Sequence, residues 1–240
     1  MLAFHCLVVF FVYRLKTFWN FFGILCASKS VAQVLLGLIF MAWCAPMAIT
    51  QSTRFFDMNL WLGRSSQLLD FVVMISNAVI SVNRFCAIAF PSRYRQHYGS
   101  QVVIFGVGFS WIVAVILAVI CTLCKDDIIF NSHLLIWDRA YPEAETLPFS
   151  QVNFDIFWIG LVIVIDVVTL GSILFYKLSL KSPATKESFN KELRFFLQIA
   201  VQHSISLLNL IMIITFSTEE TFKLFLMNFV LWIVVINTDA

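Results

Sequence analysis

The chain has 240 residues, of which 60% are hydrophobic and only 12% are charged, and its formal net charge at neutral pH is +2. Roughly a quarter of the residues in a soluble domain are charged, so this composition excludes a soluble globular protein. Lipid must be the solvent for most of the chain. The sequence has no basic tract, which argues against a nucleic-acid partner.

Seven apolar segments follow one another along the chain. A helix needs about 20 residues to span the hydrocarbon core of a bilayer. Five segments meet that length: residues 20–48, 65–90, 102–124, 152–178 and 192–216. Two shorter segments, residues 1–13 and 222–236, flank them. The sequence therefore predicts an all-α membrane protein. It is a single domain over residues 1–240, a bundle of seven transmembrane helices of which the first and last are truncated.

The segment 1–13 is not typical of a signal peptide. It has no basic residue before its apolar run and no small-residue cleavage site, and Arg14 and Lys16 follow it. We interpret it as the cytoplasmic half of a first membrane helix.

Lysine and arginine are unevenly divided between the two sets of loops and helix ends, and cytoplasmic loops are the ones enriched in them. The richer set has ten members: Arg14, Lys16, Arg84, Arg93, Arg95, Lys177, Lys181, Lys186, Lys191 and Arg194. The poorer set has five: Arg54, Arg64, Lys125, Arg139 and Lys223. The sequence therefore predicts an amino terminus outside the cell and a carboxyl terminus in the cytoplasm.

The sequence lacks the patterns of enzymes and metal sites. It contains no glycine-rich phosphate loop, no His-Glu-x-x-His and no Gly-x-Ser-x-Gly. The four histidines are scattered, and the six cysteines lie mostly inside apolar segments, without the spacing of a zinc site or a disulfide framework. We therefore predict a protein that is not an enzyme and that uses no metal or cofactor.

The third predicted helix ends in Asn83-Arg84-Phe85, and Pro91 and Tyr94 follow. This order resembles the Asp-Arg-Tyr region of rhodopsin-like receptors. A guanidinium at a helix end can exchange an internal partner for a docked one. The resemblance implies that a heterotrimeric G protein docks here, on Asn83, Arg84, Pro91 and Tyr94. The alternative is that Arg84 is only a positive-inside anchor.

Further stretches, taken in order, resemble the nematode chemoreceptor family called serpentine receptor class x. They are Phe22-Gly23-Ile24-Leu25-Cys26, residues 40–46, Asn83-Arg84-Phe85 with Pro91 and Tyr94, Ile165-Asp166 with Thr169, and Lys191-Glu192-Leu193-Arg194-Phe195-Phe196-Leu197-Gln198. Residues 15–21 and Trp111 are similar to parts of rhodopsin-like receptors. The resemblance covers about residues 15 to 235. It implies a chemosensory G-protein-coupled receptor, a multi-pass protein in the cell membrane of a sensory neuron.

The chain departs from the rhodopsin-like pattern at four places. Those receptors usually tie the outer end of helix three to the second outer loop by a disulfide, and here no cysteine lies between Thr53 and Phe85. Asn83 stands where an acidic residue usually precedes the arginine. The sixth helix lacks Cys-Trp-x-Pro and the seventh lacks Asn-Pro-x-x-Tyr. The elements that usually report activation are therefore altered.

Polar and ionisable side chains at membrane depth are costly and often functional. Asp70 lies fourteen residues before Arg84, so it is about 21 Å from the cytoplasmic end of its helix, at the depth of a ligand pocket. We predict that a small-molecule or peptide ligand binds at Asp70, Asn77, Asp166 and His203. The alternative is that these side chains only hold helices together, at ~0.6 kcal/mol per bonded pair.

Two other functions are kept as alternatives. A small secondary transporter would have inverted repeats and helices broken by glycine or proline at corresponding positions. Only five prolines occur, and none interrupts the middle of a predicted span. A degenerate or incomplete family member would not signal, and the short first and last segments favour this alternative over the transporter.

Overall fold

The computed structural model describes residues 2–15, 21–51, 55–90, 94, 100–132, 136–141, 151–179, 204, 207 and 208. Within these residues, the elements with defined bounds are six α-helices, a π-helical turn and a β-hairpin. In chain order they are α1 (Leu2–Arg14), α2 (Phe21–Ile39), the π-helical turn (Phe40–Cys44), α3 (Ala45–Thr50), α4 (Phe56–Ala89), α5 (Ser100–Leu123), β1 (Ile128–Asn131), β2 (Ile136–Arg139) and α6 (Gln151–Ser179).

Four helical segments are long and apolar enough to cross a membrane: Phe21–Thr50, Phe56–Ala89, Ile104–Leu123 and Phe154–Phe175. They have 30, 34, 20 and 22 residues, which confirms four of the five long spans predicted from the sequence. The helix α1 has 13 residues. The predicted segments 192–216 and 222–236 lie outside the described residues, except that residues 204, 207 and 208 are helical.

The membrane-capable helices expose apolar side chains. On α5, Phe105 is 73% exposed, and on α6, Val167 is 63% exposed. Such exposure would be unfavourable in water, whereas hydrocarbon around a helix tolerates it because the helix satisfies its own backbone hydrogen bonds. The outward faces of these helices are therefore suited to contact lipid.

The helix α4 begins nine residues earlier than predicted, at Phe56 instead of residue 65. The sequence had suggested a loop before residue 65, because Arg64 was counted among the loop residues. In the structure, Asn59 and Arg64 are satisfied by hydrogen bonds to the chain around the β-hairpin. Because these partners remove the penalty for burying polar groups, the helix continues through them.

A π-helical turn interrupts the first membrane-capable segment, Phe21–Thr50, shortly before its end. The backbone N–H of Ala45 bonds to the carbonyl of Phe40, five residues back. Pro46 follows directly and has no N–H to donate. The proline ring also crowds the preceding turn, which explains the wider hydrogen-bonding pattern at this point.

The described residues divide into two compact units. The first lies within Met1–Val79 and Gly99–Asp155, and the second within Ile80–Tyr98 and Ile156–Ala240. In the first unit, α1 packs against α2, and α2 packs against α5. Its largest fully buried apolar side chains lie on α2 and α4: Leu25, Phe71, Val72 and Ile75. The second unit contains the last part of α4, Tyr94 and most of α6.

The α2–α5 contact depends on a glycine and a hydrogen bond. A Cβ atom at Gly106 would lie 2.9 Å from the ring of Phe21, so a side chain at residue 106 would collide with that ring. Nearby, Trp111 Nε1 donates a hydrogen bond to Ser28 Oγ at 2.9 Å. Small residues and polar bonds of this kind hold helices together in membranes.

The β-hairpin was not predicted from the sequence. Strands β1 and β2 are antiparallel and pair from Ile128 opposite Arg139 to Asn131 opposite Ile136. Buried and partly buried residues alternate along β1, which is typical of a strand with one packed face. The hairpin follows α5 directly, so it lies at the end of the first unit where α5 ends.

Candidate functional site

One helix, α4, carries the predicted residues Asp70, Asn77 and Arg84. All three are partly buried, and the two terminal nitrogens of Arg84 are buried. Their spacing of seven residues is close to two helical turns, so their side chains leave one face of the helix at intervals of about 10 Å. The face therefore presents a carboxylate, an amide and a guanidinium in line.

Asp70 has an acidic neighbour that was not identified from the sequence. Asp155, near the start of α6, is close enough to Asp70 for their charges to interact. Its Oδ1 atom is buried without a hydrogen-bond partner among the described residues. The adjacent rings of Phe71 and Phe154 meet edge to face with 4.6 Å between centroids, which holds the two helices together at this level. A buried, unsatisfied oxygen beside a second carboxyl group marks this as the best candidate ligand contact in the described chain.

The two remaining predicted ligand residues are Asp166 and His203. Asp166 is 7% exposed and belongs to the second unit. One turn further along α6, Thr169 is buried and its hydroxyl donates to the carbonyl of Ile165 at 2.7 Å. His203 lies outside the described residues.

At the Arg84 end of α4, a side-chain contact joins two of the predicted coupling residues. Asn83 is 4% exposed, and the hydroxyl of Tyr94 donates to Asn83 Oδ1 at 3.0 Å. Burial raises the pKa of Tyr94 above its ordinary value of 10.0, while its hydrogen bond with Asn83 opposes that effect. The tyrosine therefore remains a protonated donor at physiological pH. Pro91 lies outside the described residues.

A second group of polar contacts, not predicted from the sequence, lies at the opposite end of α4. The Nε and Nη2 atoms of Arg64 donate to the two carboxylate oxygens of Asp127 at 2.9 and 2.8 Å. Thr122 Oγ1 also donates to Asp127 Oδ1 at 3.1 Å. Asp127 is 1% exposed, and the guanidinium lies 5.3 Å from the centre of the Trp61 ring. The guanidinium of Arg64 therefore neutralises the buried carboxylate of Asp127 through a bidentate contact.

Asn59 pairs with β1 much as a neighbouring strand would. Its Nδ2 atom donates to the carbonyl of Phe130 at 2.9 Å, and its Oδ1 atom accepts from the N–H of Phe130 at 3.1 Å. Trp43 Nε1 donates to the same oxygen at 3.1 Å. One amide side chain therefore joins the end of the π-helical turn, α4 and the hairpin.

Two further contacts lie between α4 and the backbone of residues 126–128. Gln67 Nε2 donates to the carbonyl of Asp126 at 3.3 Å. A Cβ atom on Gly63 would lie 1.8 Å from the carbonyl oxygen of Ile128, so only glycine fits at this position. We name this set of contacts the hairpin clasp: on α4, Asn59, Gly63, Arg64 and Gln67; on the chain from Asp126 to Phe130, their partners.

The sequence contained only part of the signal for the clasp. Two consecutive aspartates directly follow the apolar run of α5, and an arginine interrupts the start of α4. The count of lysines and arginines assigned Arg64 to an outer loop. Arg64 and Asp127 are 63 positions apart, and no spacing rule pairs residues across such a distance.

Neither a disulfide nor a metal cluster accompanies these contacts. All six cysteines are free thiols. In the described part of the chain, no group of three or more His, Cys, Asp or Glu side chains could hold a metal ion. Within the described residues, the hairpin is held by these polar contacts and by its apolar packing.

Comparison with known proteins identifies the family. The chain matches the profile described as "Serpentine type 7TM GPCR chemoreceptor Srx" over residues 2–240. It is also similar to serpentine receptor class X-43 of Caenorhabditis elegans, with 21% identity over 203 residues. That alignment covers 83% of this chain and 64% of the relative's length. With four membrane-capable helices and a profile match along its length, the chain belongs to the Srx family of serpentine, seven-transmembrane chemoreceptors, as its sequence predicted.

Proposed function

We propose that this chain is a chemosensory receptor of a sensory neuron, which binds a small-molecule or peptide ligand from outside the cell and signals to a heterotrimeric G protein. The observation that carries the proposal is the family match over residues 2–240. In this proposal the amino terminus is outside, so the hairpin end of α4 faces outward and its Arg84 end faces the cytoplasm.

The proposed ligand contact is the carboxyl pair of Asp70 and Asp155. Two acidic groups close together repel each other, and the repulsion would fall when a cationic or hydrogen-bond-donating ligand group comes between them. The buried Oδ1 atom of Asp155 is an acceptor that such a group can satisfy. We therefore expect a ligand with an amine or another strong donor.

Three further residues are also proposed as ligand contacts, after the carboxyl pair: Asn77, Asp166 and His203. Asn77 lies about 10 Å further along the same face of α4 as Asp70. Asp166 is a buried acid in a membrane-capable helix, where an ionisable group is by default a functional candidate.

The proposed coupling surface is the Arg84 end of α4 with Tyr94 and Pro91. Asn83 supplies the acceptor oxygen that an acidic residue would supply, and it uses that oxygen to hold Tyr94. In this proposal, the guanidinium of Arg84 leaves its resting environment to contact the docked G protein. Binding of the ligand would favour the state in which that surface is open.

The test is G-protein activation with two arginine variants. Membranes containing the receptor and a heterotrimeric G protein are assayed for binding of the GTP analogue GTPγS, with and without a library of amines. We expect Arg84→Ala to abolish receptor-dependent nucleotide binding while the amount of receptor at the cell surface is unchanged.

The matched control is Arg14→Ala. Arg14 ends α1, is exposed and belongs to the same arginine-rich set as Arg84. If Arg84 only anchors the helix by its charge, the two variants should behave alike. Equal activation by both variants and by the parent chain would contradict the proposed coupling role.

A further inference from the structure

The chain turns back toward α4 immediately after α5. Lys125 has a left-handed backbone conformation, with φ of 58°. The N–H of Asp126 donates to the carbonyl of Cys121 at 2.9 Å, and the N–H of Lys125 donates to the carbonyl of Thr122 at 3.2 Å. These two bonds form a Schellman cap, which ends the helix and reverses the chain direction. The cap therefore aims Asp126 and Asp127 at the side of α4.

The hairpin then packs on the end of the first membrane-capable segment, Phe21–Thr50. Phe130 forms a buried cluster with Cys44 and Met47. The ring of Trp137 lies 5.7 Å from that of Phe130 and 6.0 Å from that of Phe40. Apolar packing therefore holds one side of the hairpin, and the clasp holds the side that faces α4.

Three residues of the clasp and the proposed ligand contact share one face of α4. At about 100° per residue, the positions of Asn59, Gly63, Gln67 and Asp70 fall within an arc of roughly 80°, and Arg64 lies about 60° outside it. Asp70 lies three residues beyond Gln67, which is about 5 Å deeper along the helix axis. The chain at Asp126 is bonded to Gln67, so this stretch lies one turn above Asp70.

We propose that the Arg64–Asp127 ion pair is a noncovalent latch, which positions the β-hairpin over Asp70 and controls access of ligands to it. Arg64 and Asp127 are positioning residues in this proposal, since neither contacts the ligand. The access part rests on the proposed function at Asp70. The latch itself does not, because it can be measured without a ligand.

The first experiment measures hydrogen–deuterium exchange of residues 127–140 in the full chain, reconstituted in lipid nanodiscs. The N–H groups of Phe130 and Ala140 are the reporters, since they bond to Asn59 and to the carbonyl of Asp127. We expect Arg64→Ala and Asp127→Ala each to accelerate exchange about tenfold or more, because either change removes the ion pair. Arg64→Ala also leaves the buried carboxylate of Asp127 uncompensated. Asp138→Asn, which alters an exposed acid of β2, should leave it unchanged.

Rescue distinguishes a latch from a general defect in folding. The swapped variant Arg64→Asp with Asp127→Arg should restore slow exchange. Arg64→Lys keeps the charge but loses the bidentate contact, so its exchange rate should be intermediate. Exchange as slow in Arg64→Ala as in the parent chain would overturn the latch. So would equally fast exchange in Arg64→Ala, Arg64→Lys and the swapped variant.

A glycine pair tests the close contact without changing any charge. Gly63→Ala should accelerate hairpin exchange, because its Cβ would overlap the carbonyl oxygen of Ile128. Gly108→Ala is the matched control, since a Cβ there meets no atom within 4 Å. The close contact is wrong if the two alanine variants exchange at the same rate.

The second experiment tests access with a small cationic thiol reagent, 2-aminoethyl methanethiosulfonate. Its reaction with Asp70→Cys is measured as the excess over the same chain without that cysteine. We expect slow labelling with the latch intact, labelling about tenfold faster after Arg64→Ala, and slow labelling again in the swapped variant. Equal rates in all three would show that the latch does not control access, whether or not Asp70 binds a ligand.

Discussion

At the residue scale, the charge of Asp70 is what the proposed ligand contact requires. Asp70→Asn keeps the size of the side chain and removes its charge. We expect this change to lower the potency of an activating amine about tenfold to a hundredfold, since a charge-assisted hydrogen bond contributes about 1.5–3 kcal/mol. The measurement is the concentration of the amine that gives half-maximal GTPγS binding.

The control is a second acid on the same helix. Asp57 lies in the first turn of α4 and is exposed, so Asp57→Asn should change the potency little. Both variants are compared at equal surface expression. An unchanged potency for Asp70→Asn would remove this residue from the ligand site and favour a purely structural role.

Some functional residues could be identified singly from the sequence, whereas others are recognised only by the residue that they contact in the fold. Asp70 was identified because a charge in an apolar segment is rare enough to be noticed, and Arg84 because its surroundings resemble the Asp-Arg-Tyr region. Asp155 was missed because its partner, Asp70, lies on another helix. The Asn83–Tyr94 bond joins two residues that the resemblance had indicated separately, and their contact depends on how the chain turns after α4.

At the element scale, the α2–α5 contact can be measured as a coupling energy. Trp111→Phe and Ser28→Ala each remove one partner of the 2.9 Å hydrogen bond between the helices. The double-mutant cycle should give a coupling of about 0.6 kcal/mol in the free energy of unfolding, the average for such pairs in membrane bundles. Unfolding is followed in mixed micelles by increasing the fraction of denaturing detergent.

Ser172→Ala provides the comparison for that cycle. The hydroxyl of Ser172 donates within its own helix, to the carbonyl of Val168 at 3.0 Å. Combined with Trp111→Phe, it should therefore show no coupling. A coupling of similar size for both serines would mean that the Trp111–Ser28 bond adds nothing of its own to the contact.

The elements of this chain were predicted unevenly for a physical reason. Length and hydropathy identify a span because lipid demands about 20 apolar residues in a helix. The same rule placed the start of α4 too late, at residue 65, because it assigned the charged Arg64 to a loop exposed to water. The hairpin has only four residues in each strand, and its stability comes from the clasp and from the cluster around Phe130, neither of which is visible in a short sequence window.

At the scale of the whole molecule, the orientation in the membrane is the prediction that most needs a direct measurement. The predicted topology assigns ten of the basic residues in loops and helix ends to one side, and we expect that side to be cytoplasmic. An epitope tag at the amino terminus should bind antibody on intact cells. A tag inserted after Ser182, in a predicted cytoplasmic loop, should bind only after permeabilisation.

The reverse staining pattern would contradict the orientation. It would place the hairpin and the clasp on the cytoplasmic side and exclude G-protein docking at Arg84. The family match would still hold, because it depends on the sequence along residues 2–240 and not on the direction of insertion. The receptor function, by contrast, depends on both.

The missing side chain at Gly63 has a consequence for the divergence of this family. A receptor that acquires any other residue at the corresponding position meets the backbone of its own hairpin, at the place where Ile128 lies here. That substitution can persist only if the hairpin shifts, shortens or gains another attachment, such as a cysteine pair. Relatives should therefore divide into two groups, those with glycine and an Arg–Asp pair and those with neither, with few intermediates between them.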